Sequence, residues 1–188
     1  MLTHLVKSIN WIDVGLLILF IWIVFIAVKN GFVAEFFKSL GIVIAVFVSL
    51  HFYSPLAGWL MAKTHSSWPY WDLLVFVDLW FMVVFFFKYV REGVLLLFKV
   101  ETNHQGFDKY AAGVVAVGRG ILICSLTMFL VLLIHNGYLT RMTINSHSFK
   151  VAGKAAVATY SFLYKNLVER FCSAEHYNAA AAQVAHSK

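Results

Sequence analysis

Four long runs of apolar residues decide what this chain can fold into. They cover residues 11–28, 36–60, 68–87 and 110–134. Each run is close to the roughly 20 residues that an α-helix needs to cross the apolar core of a bilayer. Because a segment in lipid must satisfy its own backbone hydrogen bonds, such runs predict helices. We therefore predict an all-α, polytopic membrane protein with four transmembrane helices within residues 1–138.

The composition excludes a water-soluble domain. Hydrophobic residues make up 61% of the 188 residues and charged residues 13%, whereas soluble domains average about 45–50% and about 25%. A net charge of +6 fits nucleic-acid binding in a soluble chain. Here the basic residues flank apolar runs, where lysines contact lipid head groups. We expect the lipid bilayer as a partner and no nucleic acid.

The residues after the fourth run have a different pattern. Between Phe149 and Phe171, apolar and aromatic side chains fall on one side of a helical wheel and lysines on the other. This division predicts an amphipathic helix within 139–172. Two interpretations stay open: a helix lying in the membrane interface, or a helix packed on the bundle at its solvent edge. Residues 173–188 carry no packing signal, so we predict a disordered tail.

The sequence lacks the motifs that would indicate catalysis. It contains no HExxH, CxxC, nucleotide-binding loop or G-x-S-x-G pattern. Cys124 and Cys172 are far apart, and Cys124 lies inside an apolar run, which favours a buried thiol. We therefore predict that the chain is not an enzyme and has no cofactor and no metal site.

Ionisable residues inside apolar runs are the best functional candidates, because insertion of each costs about 2.5–3.5 kcal/mol. The candidates are Asp13, Glu35, Asp78 and Arg119. Asp13 and Glu35 lie near helix starts, where the helix dipole stabilises a carboxylate. A capping role therefore competes with a proton or substrate role at both positions.

The third and fourth runs each contain one charged residue at a similar distance from a run end. Asp78 is nine residues from Phe87, and Arg119 is nine residues from Tyr110, a depth of roughly 13 Å at about 1.5 Å per residue. We hypothesise that Asp78 and Arg119 form an ion pair between these helices. The alternatives are that Arg119 reaches Glu35 or extends to the membrane interface.

Small residues predict where helices approach closely, because they let two backbones come together. Five glycines are candidates for helix packing: Gly31, Gly41, Gly113, Gly118 and Gly120.

Three stretches resemble one known family. They are N-W-I-D at 10–13, K-N-G-F-V-A-E-F-F-K-S-L-G at 29–41, and F-D-K-Y-A-A-G at 107–113 followed by G-R-G at 118–120. Together they resemble the CvpA family, the colicin V production proteins, over about residues 8–135. The chain departs from the family pattern at Lys109 and Tyr110, where Arg and Leu are usual.

The resemblance implies a small, four-span bacterial inner-membrane protein tied to toxin production, toxin export or envelope function, without reaction chemistry. Two hypotheses follow. The first is a non-enzymatic accessory protein that acts through export or envelope membrane proteins. The second is a small channel or transporter that uses Asp78 and Arg119. It works as a homo-oligomer, because four helices leave little room for a pore in one subunit.

The distribution of basic residues predicts an orientation. With four spans, both termini lie on one side of the membrane. The connections at 29–38 and 88–109 carry six Lys and Arg residues. Within about 20 residues of the spans, the distance over which the rule is counted, the other side carries five: Lys7, Lys63, Arg141, Lys150 and Lys154. The positive-inside rule therefore places these connections in the cytoplasm and both termini in the periplasm.

Overall fold

The fold is a bundle of four long helices followed by shorter ones. The computed structural model describes residues 10–65, 68–98, 106–171 and 177–186. The long helices are α1 (Trp11–Asn30), α2 (Phe32–Thr64), α3 (Trp71–Phe98) and α4 (Gly106–Leu133). All four contain windows long and apolar enough to cross a membrane. The predicted all-α fold with four transmembrane helices is confirmed.

The long helices form a row rather than a closed square. α2 and α4 are the central pair, with α3 packed mainly on α2 and α1 packed mainly on α4. The main apolar core fills the space between α2, α3 and α4, with Val46, Leu50, Phe76, Leu126 and Phe129 among its buried side chains. We call the end of the bundle with the α1–α2 turn the Gly31 end, and the opposite end the Asn10 end.

Helix α2 is unusually long and runs through a proline. Its 33 residues include Pro55, and they extend about 50 Å at about 1.5 Å per residue, whereas the apolar core of a bilayer is about 30 Å thick. A proline inside a helix usually causes a kink or a break, but α2 is continuous at Pro55. Pro55 lacks the N–H group that would bind the carbonyl of His51, four residues earlier.

A residue from the C-terminal part of the chain satisfies this carbonyl. The side-chain nitrogen of Asn178 donates hydrogen bonds to the carbonyls of Leu50, at 2.8 Å, and of His51, at 3.3 Å. The backbone N–H of Asn178 donates to the hydroxyl of Tyr160 at 3.0 Å. A neighbouring polar group that re-satisfies freed backbone groups is the usual reason why proline is tolerated in a membrane helix.

Where the sequence predicted a disordered tail, the structure places a further helix. A helix at Ala179–His186 follows Asn178, and Ala181 is fully buried. The sequence contains no long apolar run here because an amide side chain, two alanines and the ring of Tyr177 make these contacts. The expectation of disorder therefore does not hold for the described part of the tail, 177–186.

The segment between α4 and the tail is broken into pieces. It consists of α5 (Gly137–Ile144), α6 (His147–Ala152), α7 (Ala155–Leu163), a π-helical turn (Tyr164–Val168) and α8 (Glu169–Phe171). We predicted a single amphipathic helix, so this differs from the expectation.

Buried hydrogen bonds explain the break between α6 and α7. The hydroxyl of Ser125, in α4, donates to the carbonyl of Gly153 at 3.0 Å and accepts from the N–H of Ala156 at 2.9 Å. Ala156 and Tyr160 are buried against the bundle, while Lys150 and Lys154 are exposed. The segment packs on the bundle, as the second interpretation held, and its depth in the bilayer stays a prediction.

Candidate functional site

A buried carboxylate lies at the Gly31 end, in the first turn of α2. The side chain of Glu35 is 0% exposed. Its Oε1 accepts hydrogen bonds from Nζ of Lys38 at 2.6 Å and from Nδ2 of Asn30 at 3.1 Å. Its Oε2 forms an ion pair with Nη1 of Arg119. Three elements therefore meet at one carboxylate: the end of α1, the start of α2 and the middle of α4.

The turn between α1 and α2 brings Glu35 to this position. Gly31 is the single residue between the two helices and has a φ of 78°, in the left-handed region that a side chain disfavours. The first N–H of α2, that of Phe32, donates to Oδ1 of Asp108 at 3.0 Å. A carboxylate from α4 thus caps α2, which satisfies a backbone donor that the helix itself leaves unpaired.

The structure corrects the hypothesis that Arg119 pairs with Asp78. Arg119 is 7% exposed and pairs with Glu35, which was one of the alternatives. α3 continues to Phe98, so counting depth from Phe87 was misleading. Asp78 lies seven residues after Trp71, about 10 Å from the start of α3 at the Asn10 end. Its side chain is exposed on the outside of the bundle.

A cavity of about 290 Å³ adjoins the ion pair. Four basic side chains line it: Lys38, Lys88, Arg91 and Arg119. The rest of its wall is apolar and consists of Gly41, Ile42, Val84, Phe87 and Ile123. The exposed fraction is 7% for the side chain of Arg119, 25% for Lys38 and 22% for Arg91, and Lys88 is exposed. Arg119 is thus at the bottom of the cavity and Lys88 at its mouth.

The wall of this cavity depends on a close approach of α2 and α3 at Gly41. A Cβ atom at Gly41 would lie 2.8 Å from Cβ of Phe87, which is closer than two carbon atoms can pack. Gly41 therefore acts in helix packing, as the sequence suggested. Any residue with a Cβ atom at this position would push α3 away from the site.

The other candidate glycines divide into packing and non-packing positions. A Cβ at Gly120 would lie 2.8 Å from the ring of Phe20 in α1, and one at Gly113 would lie 3.9 Å from Val28. A Cβ at Gly118 has nothing within 4 Å, and Gly118 is exposed. Among the described residues no other helix approaches Gly118, because it precedes Gly120 by two residues, about 200° around the helix. Its predicted packing role stays a prediction.

Asp13 forms a second contact site at the Asn10 end. Its carboxylate accepts hydrogen bonds from the N–H groups of His147, at 3.2 Å, and Ser148, at 2.8 Å. The cap of its own helix is instead Asn10, whose side chain accepts from the N–H of Ile12. Asp13 therefore caps α6, and it ties α1 to the segment that follows α4.

Sequence reasoning missed several residues of the site. Asn30 and Asp108 are polar residues at helix ends, and Lys88 and Arg91 flank an apolar run, so all four looked like ordinary interfacial groups. One signal was available for Lys38, because residues three apart on a helix are neighbours and Glu35 has the opposite charge.

The described residues contain no group of three or more His, Cys, Asp or Glu side chains that would suit a metal ion. Cys124 is buried as expected, with its thiol 3.7 Å from the carbonyl of Leu16. Cys172 lies outside the described residues. The site therefore consists of a fixed carboxylate held by three donors and of basic side chains that outnumber the neighbouring carboxylates.

Comparison with known proteins gives one match. The family described as "Colicin V production protein" matches residues 12–184, nearly the whole chain. No curated protein and no solved structure matches.

Proposed function

The chain belongs to the colicin V production protein family, and we propose that it is a non-enzymatic protein of the bacterial inner membrane. In this proposal it is required for toxin production, toxin export or envelope homeostasis, and it acts through other membrane proteins. The family match supports a membrane protein involved in colicin V production. The requirement for partner proteins is part of the proposal and does not come from the family match.

One observation favours an accessory role over a channel formed within one chain. In the described residues, the buried charges, Glu35 and Arg119, form a pair at the Gly31 end. Between that pair and the Asn10 end, apolar side chains such as Leu50, Phe76 and Leu126 fill most of the centre of the bundle. The buried His51 and Ser125 form hydrogen bonds to Tyr160 and to the segment after α4. A path for ions needs polar groups or water along its length, and this packing favours a structural role for the pair.

A specific observation favours the alternative, a small oligomeric channel or transporter. Asp78 is exposed on the outer surface of α3, inside the apolar window Trp71–Val94. A carboxylate facing lipid is costly unless a second protein surface covers it. Because Asp78 and Arg119 are apart within one chain, a channel that uses both would need contacts between copies.

Photo-crosslinking in cells tests the proposal. A photoreactive amino acid at Phe86, which is exposed on α3, samples the lipid-facing surface, and the same probe at Phe76, which is fully buried on α3, is the matched control. We expect Phe86 to capture a defined export or envelope protein in toxin-producing cells, and Phe76 to capture none. Capture of only a second copy of this chain, with solute flux in proteoliposomes that Asp78→Asn abolishes, would favour the channel instead.

The proposed orientation places the Gly31 end in the cytoplasm. Single cysteines at Lys29 and Thr64, both exposed and at opposite ends of the bundle, test this in a chain whose native Cys124 and Cys172 are replaced by Ala. A membrane-impermeant maleimide should label Thr64→Cys in cells with a permeabilised outer membrane, and Lys29→Cys only after lysis. The reverse pattern would invert the topology.

A further inference from the structure

The cavity at the Gly31 end has more basic groups than its acidic neighbours can neutralise. Lys38 and Arg119 share the single carboxylate of Glu35. Arg91 is 3.6 Å from Glu92, which is itself half exposed to solvent or lipid. Lys88 forms no ion pair within the described part of the chain. Four cations in one cavity repel each other, and an anion bound among them would relieve that repulsion.

Two nitrogen atoms of the cavity's arginines are buried and lack a partner. These are Nε of Arg119 and Nε of Arg91, neither of which has a hydrogen-bond acceptor among the described residues. An unsatisfied buried donor costs about 1–3 kcal/mol, and more on a charged group. Guanidinium groups match the oxygen atoms of phosphate in geometry and charge. The two guanidinium groups that line this cavity therefore favour an acceptor with several oxygen atoms.

The position of the cavity favours a lipid as the source of that acceptor. Lys38 lies six residues after Phe32, the first residue of α2, about 9 Å from the Gly31 end at about 1.5 Å per residue. At this depth long basic side chains extend to the level of lipid phosphates. The inner wall of the cavity is apolar, with Val84, Phe87 and Ile123 facing the space. A lipid fits both parts of the cavity: its head group contacts the basic side chains at the mouth, and part of an acyl chain lies along the apolar wall.

We propose that this cavity binds the phosphate-bearing head group of an anionic phospholipid. The guanidinium groups of Arg119 and Arg91 hold the phosphate oxygens, and Lys38 and Lys88 add positive charge at its sides. The volume of about 290 Å³ lies near the lower end of ligand sites, about 300–1,000 Å³, which suits a head group and the first part of a chain. Basic pockets between membrane helices are a known way to hold anionic lipids. The inference does not rest on the proposed function.

Native mass spectrometry of the purified full chain tests this proposal. The protein in detergent is incubated separately with dioleoyl-phosphatidylglycerol, with dioleoyl-phosphatidylcholine and with inorganic phosphate, and bound adducts are counted. We expect retention of phosphatidylglycerol to exceed that of phosphatidylcholine by about tenfold or more, as charge-assisted hydrogen bonds predict. Equal retention of the two lipids would overturn the proposal. Binding of inorganic phosphate that displaces the lipid would also overturn it, in favour of a free anion.

Matched double variants separate the cavity from general surface charge. Lys88→Gln with Arg91→Gln removes two cations that line the cavity and leaves the Glu35–Arg119 pair in place. Lys29→Gln with Lys109→Gln removes two exposed cations at the same end that do not line it. The first variant should lose phosphatidylglycerol by about tenfold or more, and the second should retain it. Equal losses would show diffuse electrostatic attraction and contradict the site.

A milder variant guards against a folding defect. Lys88→Gln alone removes an exposed side chain without an ion pair in the described residues, so the fold should be unaffected. It should lower phosphatidylglycerol retention in the same direction as the double variant, with an unchanged melting temperature in lipid-free detergent. Full retention in Lys88→Gln and in the double variant together would refute the proposal.

Discussion

At the scale of single residues, three polar side chains in the bundle each meet a particular backbone or charge requirement. Glu35 neutralises Arg119, Asp108 receives the first N–H of α2, and Asn178 donates to the carbonyl that Pro55 leaves free. In lipid such groups cannot form hydrogen bonds with water, so leaving one of them unpaired is costly. These three polar side chains therefore lie where the backbone or a buried charge needs them.

The contact of Asn178 with α2 gives a prediction. Asn178→Ala removes the donor to the carbonyls of Leu50 and His51, and it should destabilise the protein by about 1–3 kcal/mol. In a Pro55→Ala background, the new N–H binds the carbonyl of His51, so the same substitution should cost about 1 kcal/mol less, while the bond to Leu50 is lost in both backgrounds. Thermal unfolding in detergent measures both losses.

A control keeps this comparison specific. Among the described residues, Asn166 donates to the carbonyl of Phe162 alone, within its own segment, and it is exposed. Asn166→Ala should therefore change the melting temperature little in either background. An identical loss of stability for Asn178→Ala with and without Pro55 would show that the two residues are not linked.

At the scale of elements, close approaches and caps hold the helices in place. α3 packs on α2 through Gly41, α1 packs on α4 through Gly120, and α6 is joined to α1 through Asp13. These contacts are small in area, yet each sets the position of a whole helix. Substitutions at such points should move an element, while substitutions nearby on the same helix should not.

The approach of α2 and α3 can be tested with two glycines of one helix. Gly41→Ala forces its Cβ against that of Phe87, and overpacking of this kind costs about 1–3 kcal/mol. A Cβ at Gly58 meets nothing within 4 Å, so Gly58→Ala should be neutral or slightly stabilising. Melting temperatures in detergent compare the two. Equal effects would mean that α3 is not seated on Gly41.

The attachment of α6 gives a third prediction. Asp13→Ala removes the acceptor for the N–H groups of His147 and Ser148, at a cost of about 1–2 kcal/mol for a lost cap. Trypsin should then cleave faster after Lys150 and Lys154. Asp78→Asn, which changes an exposed carboxylate without an ion pair in the described chain, should leave cleavage as in the wild type. Unchanged cleavage in Asp13→Ala would show that the contact does not hold α6.

At the scale of the whole molecule, hydropathy predicted the architecture, and it failed for the contacts between helices. The four apolar runs were enough to predict the spans, because lipid favours apolar side chains along the whole length of a run. Pairing depends on where helices begin and end, and α3 runs to Phe98, so Asp78 and Arg119 were assigned similar depths wrongly. The breaks after α4 and the contacts of Asn178 were hidden because single polar atoms determine them.

The central claim is that the buried pair of Glu35 and Arg119 joins α2 to α4. Breaking a buried pair by removing one partner costs about 3–5 kcal/mol, because it leaves an uncompensated charge. Glu35→Gln and Arg119→Gln should each be strongly destabilising, and the double variant should be less destabilised than the sum of the two.

A pair of double-mutant cycles in detergent measures this most directly. The first combines Glu35→Gln with Arg119→Gln, and the second combines Asp78→Asn with Arg119→Gln. We predict a coupling free energy of about 1–3 kcal/mol in the first cycle and additivity in the second. Additive losses in the first cycle, with coupling in the second, would contradict the arrangement of the helices described above.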